Sequence, residues 1–283
     1  MRMQIQKKKI PILMYHSISR SSNPKFKQFT VTPELFAEQM AYLHQHDYTP
    51  ITVTQLINAR SENKFILPEQ PVVITFDDGF ADFFTDALPI LKQHNFTATL
   101  YVSTAFIDGT SRWLKRQGEA SRLMLTWEKL TEISMSGIEC GAHSHSHPQL
   151  DTLHCSLARD EIVRSKRLLG DHLGQEIFSF AYPYGYYTAL VRQFVREAGY
   201  TSACAVRHAM SSEAVDLFSL ARLMVSANTN IEEFSALLNG SSSSPATVAY
   251  KIYARARTPV WQLVRRCAAS ATHYLQERRL AWH

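Results

Sequence analysis

The chain carries the segment PVVITFDDG at residues 71–79. The first six of these residues form a short run of β-branched and aromatic side chains, which is typical of a buried parallel strand. Asp77 and Asp78 follow at the carboxyl end of that strand, where alternating strand-and-helix folds collect ligands. Two adjacent carboxylates there are costly unless a cation lies beside them. A bound metal ion is the simplest such cation, and Gly79 then permits a tight turn into a helix.

Outward from this segment, short apolar runs alternate with helical patterns from Ile10 to about Gly240. A unit repeated about seven times predicts parallel strands wrapped by helices, either as a closed barrel or as an open doubly wound sheet. We favour the barrel. The predicted strands are residues 10–15, 72–76, 97–103, 138–143, 178–182, 202–206 and 220–225, and the predicted helices are residues 33–46, 83–94, 127–135, 157–173, 190–198 and 231–238.

The distribution of charge divides the chain in two. Residues 240–283 carry seven Lys or Arg and one Glu, a net charge of +6, so the remainder is −1 within an overall +5. A basic character confined to one end argues against a nucleic-acid-binding role for the body of the protein. The polar stretch NGSSSSP at residues 239–245 predicts a linker. We therefore expect a catalytic domain at residues 1–240 and a linker with a basic tail at residues 241–283.

The tail contains an amphipathic helical pattern over residues 258–279. Packing of its apolar stripe on the barrel and peripheral contact with a membrane or a partner protein are both consistent with this pattern. The apolar run near the start, residues 10–15, is too short and too interrupted for a signal peptide, and no run is long enough to span a membrane. From the sequence as written we expect a cytoplasmic protein, membrane-associated if the tail docks on lipid.

A second cluster, GAHSHSHP at residues 141–148, follows a predicted strand and contains His143, His145 and His147. Two histidines and one aspartate can hold a divalent ion and leave a position for water. A run of histidines also arises by chance on surfaces, but its pairing with the Asp-Asp segment favours a metal site.

A third cluster, FAYPYG at residues 180–185, lies at the end of another apolar strand. Pro183 fixes φ and Gly185 permits an unusual φ, so the backbone N–H of Tyr184 could face a ligand. An ordinary strand-terminating turn is the alternative for this segment.

Together the three clusters resemble the polysaccharide deacetylase family, the carbohydrate esterases with a NodB-type domain. The similarity covers most of residues 10–240 and includes LMYHSI (13–18), FAEQMAYL (36–43), TFDDGFADFF (75–84) and LTW (125–127). Membership implies a distorted (β/α) barrel and the metal-dependent removal of acetyl groups from N-acetylated sugars of a polysaccharide or lipid-linked glycan. Exopolysaccharide assembly is the process that we associate with such an activity.

The resemblance also implies roles for individual residues. It makes Asp77 the general base, and Asp78, His143 and His147 the metal ligands, with zinc as the expected ion and cobalt, manganese or nickel as alternatives. Pro183 and Tyr184 match the substrate-binding turn, in which the Tyr184 N–H contributes to the oxyanion hole. His145 has no role in the family pattern.

The chain departs from the family pattern at two positions. Ala181 replaces the arginine that usually orients the base, and Arg222 in the strand-like SLARLMV is our candidate replacement. No Leu-x-His follows residue 225, where the family often has the histidine that protonates the leaving amine; His16 is the candidate for that proton. These departures keep two alternatives open, a weakly active or inactive carbohydrate-binding homologue and an O-acetyl esterase on the same fold.

Overall fold

The structure of the protein is a computed structural model, and it describes residues 9–61, 65–206 and 216–240. The strands within these residues are β1 (Ile12–Tyr15), β2 (Ser17–Ile18), β3 (Thr30–Val31), β4 (Thr49–Ile51), β5 (Pro71–Phe76), β6 (Thr99–Val102), β7 (Glu139–Ala142), β8 (Ser179–Ala181), β9 (Ser202–Val206) and β10 (Leu220–Met224). The α-helices are α1 (Pro33–Gln45), α2 (Val53–Ser61), α3 (Leu88–Gln93), α4 (Trp127–Met135), α5 (Cys155–Leu173), α6 (Ala189–Glu197) and α7 (Ile231–Leu238).

Seven parallel strands form a closed barrel. The sheet runs from β5 through β6, β7, β8, β9 and β10 to β1, and β1 pairs with β5 to close the circle. The short strand β4 pairs with the first half of β5, and β1 takes the second half, from Val73 to Phe76. The carboxyl ends of the seven strands therefore meet at one rim, as they do in (β/α) barrels generally.

Local sequence accounts for the main elements. All six residues of β5 are buried, as expected for an apolar strand covered on both faces. The side chain of Thr32 accepts a hydrogen bond from the backbone N–H of Leu35 at the start of α1, and Thr126 does the same for Lys129 at the start of α4. Such caps satisfy a backbone donor that the helix itself leaves free.

The predicted fold class is confirmed: the described residues form a distorted (β/α) barrel of seven strands. Each of the seven predicted strands is present, and the six predicted helices appear with bounds that shift by a few residues. Residues 83–94 form a π-helical segment, Phe83–Ala87, that continues into α3. The sequence prediction missed β2, β3, β4 and α2.

The predicted tail, residues 241–283, lies outside the described residues. The expected domain boundary and the amphipathic helix at residues 258–279 therefore stay predictions. Among the residues that the structure describes, no helix has the length and apolar character needed to cross a bilayer.

Candidate active site

Asp77 leaves the end of β5 and meets Arg222, which reaches inward from β10. The Nη1 and Nη2 atoms of Arg222 donate to Oδ1 and Oδ2 of Asp77 at 2.6 and 2.7 Å, so the pair is bidentate. Arg222 is 0% exposed and also donates to Thr75 Oγ1 at 3.2 Å. Burial alone would raise the pKa of Asp77, but the Arg222 guanidinium outweighs it and holds that pKa well below its usual range.

Asp78 lies opposite His143 and His147 at the same rim. Oδ1 of Asp78 is 3.5 Å from Nε2 of His143 and 3.1 Å from Nε2 of His147. One ligand atom from each of the three buried residues lies within 4.8 Å of the others. Burial would raise the pKa of Asp78, but His147 lowers it, and the net pKa lies below the ordinary value.

These three side chains fit a metal ion by their chemistry. Oδ1 of Asp78 is buried and accepts no hydrogen bond from the described residues, which is costly for a carboxylate unless a cation binds there. Two imidazole nitrogens and one carboxylate oxygen are a common donor set for zinc and for other divalent ions. Asp78, His143 and His147 are thus the residues that could hold a metal.

The imidazole of His143 is fixed in orientation. Its Nδ1 lies 2.8 Å from the carbonyl oxygen of Ala181, so Nδ1 carries the proton and donates, and Nε2 faces Asp78 with its lone pair. Burial lowers the pKa of His143 to about 4. A neutral imidazole with a free Nε2 is the form that binds a metal.

His16 follows β1 directly and lies at the same rim. The charges of Asp78 and Asp77 both act on its imidazole and raise its pKa, but burial lowers the pKa more, so the net value is below the ordinary one. Its ring packs on Phe29 with centroids 5.0 Å apart. Nδ1 of His16 is buried and has no hydrogen-bond partner among the described residues.

Tyr184 lies in the 3₁₀ turn Pro183–Gly185 that follows β8. Its φ is +59°, and the neighbouring Gly185 has a φ of +74°. A side chain at Gly185 would place Cβ 2.6 Å from Cβ of Val206, so only glycine fits this turn. The ring of Tyr184 packs on His147 at 4.8 Å between centroids, and Pro183 is buried beneath.

Comparison with known proteins bears on the same residues. Residues 66–203 match the family described as Polysaccharide deacetylase. Over this stretch, a little under half of the chain, the protein is similar to the polysaccharide deacetylase family. The matched range contains Asp77, Asp78, both ligand histidines and the Pro183–Gly185 turn, so the recognised motifs and the observed rim coincide.

Two curated relatives and one solved structure of this family illustrate the range of similarity. YxkH of Bacillus subtilis, which is named for the same family, is 29% identical over 230 residues, 81% of this chain and 76% of YxkH. The poly-beta-1,6-N-acetyl-D-glucosamine N-deacetylase of Staphylococcus epidermidis is 27% identical over 190 residues, 63% of this chain and 62% of that enzyme. This chain therefore spans a little under two thirds of that relative's length.

The solved structure is the deacetylase PplD of Streptococcus pyogenes in complex with acetate. It superimposes with a TM-score of 0.71 and 29% identity over 82% of this chain and 99% of PplD. Family, relatives and fold agree, and the chain is an enzyme of the polysaccharide deacetylase class.

Several backbone positions in this deacetylase site adopt a strained conformation. Asp78, Ser144, His147 and Tyr184 all have φ values between +59° and +76°, a region that residues other than glycine rarely occupy. Such residues cost about 1–3 kcal/mol each and concentrate where a side chain must be held for function. Two of the three candidate metal ligands are thus held by strained backbone.

The structure brings together every site residue named from the sequence: His16, Asp77, Asp78, His143, His147, Pro183, Tyr184 and Arg222. His145, for which no role was predicted, instead lies 2.8 Å by Nδ1 from Thr104 Oγ1. Two supporting groups were missed, the Ala181 carbonyl that orients His143 and the hydroxyl of Thr75 that contacts Arg222. No sequence signal marks a backbone carbonyl, because every residue has one.

A polar network behind His16 was also missed. Oδ2 of Asp82 accepts hydrogen bonds from Ser17 Oγ at 2.7 Å and from Arg122 Nη1 at 3.0 Å, and its Oδ1 accepts one from the backbone N–H of Ile18. Asp82 directly precedes the π-helical segment Phe83–Ala87, and burial raises its pKa to about 6. The network fixes the residues that directly follow His16.

Proposed function

We propose that this protein is a metal-dependent de-N-acetylase that hydrolyses the acetamide of an N-acetylated sugar in a polysaccharide or lipid-linked glycan, during exopolysaccharide assembly. The observation that carries the proposal is the bidentate Arg222–Asp77 pair beside the buried trio of Asp78, His143 and His147. One carboxylate stays apart to accept a proton, and its neighbour faces the ligand histidines.

Asp77 acts as the general base in this proposal. The Arg222 guanidinium keeps it ionised and holds both oxygens in place, so the carboxylate is always in its accepting form. A carboxylate with so low a pKa is a weak base and accepts a proton only from an acidified water. Asp78, His143 and His147 would hold a divalent ion, which would supply that acidity and polarise the acetyl carbonyl.

The remaining residues act on the substrate. The N–H of Tyr184, in its strained turn, is proposed to donate to the oxygen that becomes negative as the carbonyl carbon turns tetrahedral. Pro183 and the ring of Tyr184 form a wall for the acetyl group. His16, whose Nδ1 has no partner among the described residues, is proposed to protonate the sugar amine as the C–N bond breaks.

The Arg222–Asp77 pair favours turnover over a binding-only homologue. A binding module does not need a carboxylate such as that of Asp77 beside the metal ligands but apart from them. The arginine that is absent at Ala181 is replaced by Arg222 from another strand. Zinc is the proposed ion because the donor set of two histidines and one carboxylate suits it. The likeness to the Staphylococcus epidermidis enzyme supports β-linked N-acetylglucosamine oligomers as the first substrate to test.

The test is acetate release by the full-length protein from such oligomers, with added zinc or cobalt and after chelation. We expect release that needs the metal and that falls at least about 100-fold in Asp77→Asn. The matched control is Asp171→Asn, which also removes one carboxylate, but from the outer helix α5. Metal-independent release, or equal release by Asp77→Asn and the wild type, would contradict the mechanism. Metal binding without release from any acetylated glycan would contradict the function.

A further inference from the structure

Two loops border the mouth of the site, and both are rich in basic residues. Residues 19–29 contain Lys25 and Lys27, and residues 109–122 contain Arg112, Lys115 and Arg116, all five exposed. We call these five residues the basic rim. None of them has a carboxylate within ion-pair distance among the described residues.

The two loops form one surface. The backbone N–H of Asn23 donates to Glu119, and Nη2 of Arg122 donates to the carbonyl of Ser21 at 2.9 Å. Phe26 from the first loop and Leu114 from the second lie in the same buried apolar cluster. The basic rim is therefore carried by two segments that pack directly against each other.

The one acidic side chain in these two loops already has a basic partner. Residues 19–29 contain no acid, and residues 109–122 contain only Glu119, which lies 3.1 Å from Nε of Arg122. Asp82 beneath them is 3.0 Å from the same arginine. The five rim residues thus have no carboxylate partner among the described residues, and an anionic ligand would supply one.

The patch adjoins the site on two sides. The ring of Trp113, next to Arg112, lies 5.2 Å from the ring of His147. The ring of Phe29, two residues after Lys27, lies 5.0 Å from that of His16. Nε1 of Trp113 is buried without a hydrogen-bond acceptor in the described part of the chain, so the loop also offers an unused donor there.

We infer that the natural substrate is an anionic glycan, in which the sugars next to the reacting N-acetylated residue carry acidic groups that bind the basic rim. The inference rests on the proposed function, since a polymer held at the site extends past its rim onto these loops. Neutral N-acetylglucosamine polymers would be accepted at the site but would gain nothing from the rim.

The test compares two hexasaccharides as substrates of the full-length protein. One is neutral and contains only N-acetylglucosamine, and the other alternates N-acetylglucosamine with glucuronate. We expect a higher kcat/KM for the anionic hexasaccharide at low salt, with an advantage that shrinks as salt is raised. The double variant Lys115→Gln, Arg116→Gln is expected to lower the anionic-to-neutral ratio about threefold to tenfold, because each exposed ion pair contributes a fraction of a kcal/mol.

The matched control is Lys92→Gln, Arg167→Gln, which removes the same two charges from the outer helices α3 and α5. It is expected to leave the ratio unchanged. A ratio that neither variant changes, or that both change equally, would overturn the inference. Loss of binding to vesicles containing phosphatidylglycerol in the rim variant, with an unchanged ratio, would also overturn it and assign the patch to a membrane.

Failure of the proposed function is distinguishable from failure of this inference. Equilibrium binding of the two hexasaccharides needs no turnover, so it tests the rim even if no acetate is released. If the anionic hexasaccharide binds more tightly than the neutral one, and the rim variant loses this difference, the inference is supported whether or not acetate is released. Equal binding of both would overturn it while leaving deacetylation of the neutral oligomer intact.

Discussion

Removing the Arg222 guanidinium should cost much of the stability of the fold. Arg222→Met keeps a long apolar side chain but leaves the carboxylate of Asp77, which is 3% exposed, without its bidentate partner. A buried ion stranded by loss of its partner typically costs about 3–5 kcal/mol. The hydroxyl of Thr75 also loses a donor at 3.2 Å, which adds about 1 kcal/mol at most.

Asp77→Asn should cost a similar amount, because it strands the buried guanidinium instead. The double variant removes both charges and strands neither, so its cost should be about that of one single variant and well below the sum. We therefore expect a coupling energy of about 3 kcal/mol between the two positions. Arg222→Lys should recover part of the stability but not the two-oxygen geometry, since an ammonium cannot bond both oxygens in parallel.

The assay is urea unfolding of the full-length protein at pH 7 with a chelator present, so that metal binding does not contribute. Circular dichroism before unfolding checks that each variant keeps its secondary structure. A cost below about 1 kcal/mol for Arg222→Met, or single costs that add in the double variant, would refute the pairing argument.

Three further predictions concern residues around the site. His16→Gln should lower acetate release from a sugar amide about 100-fold but change hydrolysis of p-nitrophenyl acetate, whose leaving group needs no proton, by less than about threefold; equal losses would contradict its role as acid. Gly185→Ala should cost about 2–4 kcal/mol of unfolding free energy, because the added Cβ would lie 2.6 Å from Cβ of Val206. The control Gly174→Ala, at φ +63° with no atom near the added Cβ, should cost about 1 kcal/mol. Similar costs for the two variants would contradict the steric argument. Burial raises the pKa of Asp82 from 3.8 to about 6, so the folded state holds this proton more tightly, and the stability that it contributes below pH 4 is lost as pH rises through 6. The side chain of the Asp82→Asn variant cannot ionise. Its free energy of unfolding in urea, relative to that of the wild type, should therefore rise by about 3 kcal/mol from pH 4 to pH 7. A difference that does not change with pH would contradict this.

The strands that could be predicted from the sequence are those made of consecutive apolar residues, which must be buried. β5 is six consecutive buried residues, and nothing but a covered strand accommodates them. β4 was missed because it has three residues, of which Thr49 is exposed and Pro50 is unusual in a strand. α2 was missed because its apolar residues are few and weakly periodic.

Most of the candidate site could be predicted from the sequence, because a parallel barrel brings the carboxyl ends of its strands to one rim. Asp77, Asp78 and the two ligand histidines are each recognisable in a local motif, and the barrel brings such motifs to one rim. Arg222 could only be proposed as a candidate. The sequence around it shows neither which face of the strand it lies on nor how far it is from Asp77. The hydrogen bond from His143 to the Ala181 carbonyl has no sequence signal at all.

The closure of the barrel by β1 and β10 has a consequence for how the protein is made. Arg222 stands 145 positions after Asp77, on the strand that reaches β5 only through β1. During synthesis the ligand histidines and Asp77 emerge long before the strand that balances their charge. Contacts between such distant segments form slowly, because loop closure must precede any gain from them. We therefore expect the site to be completed late in folding, and an opened barrel to lose activity while most of its helices and strands persist.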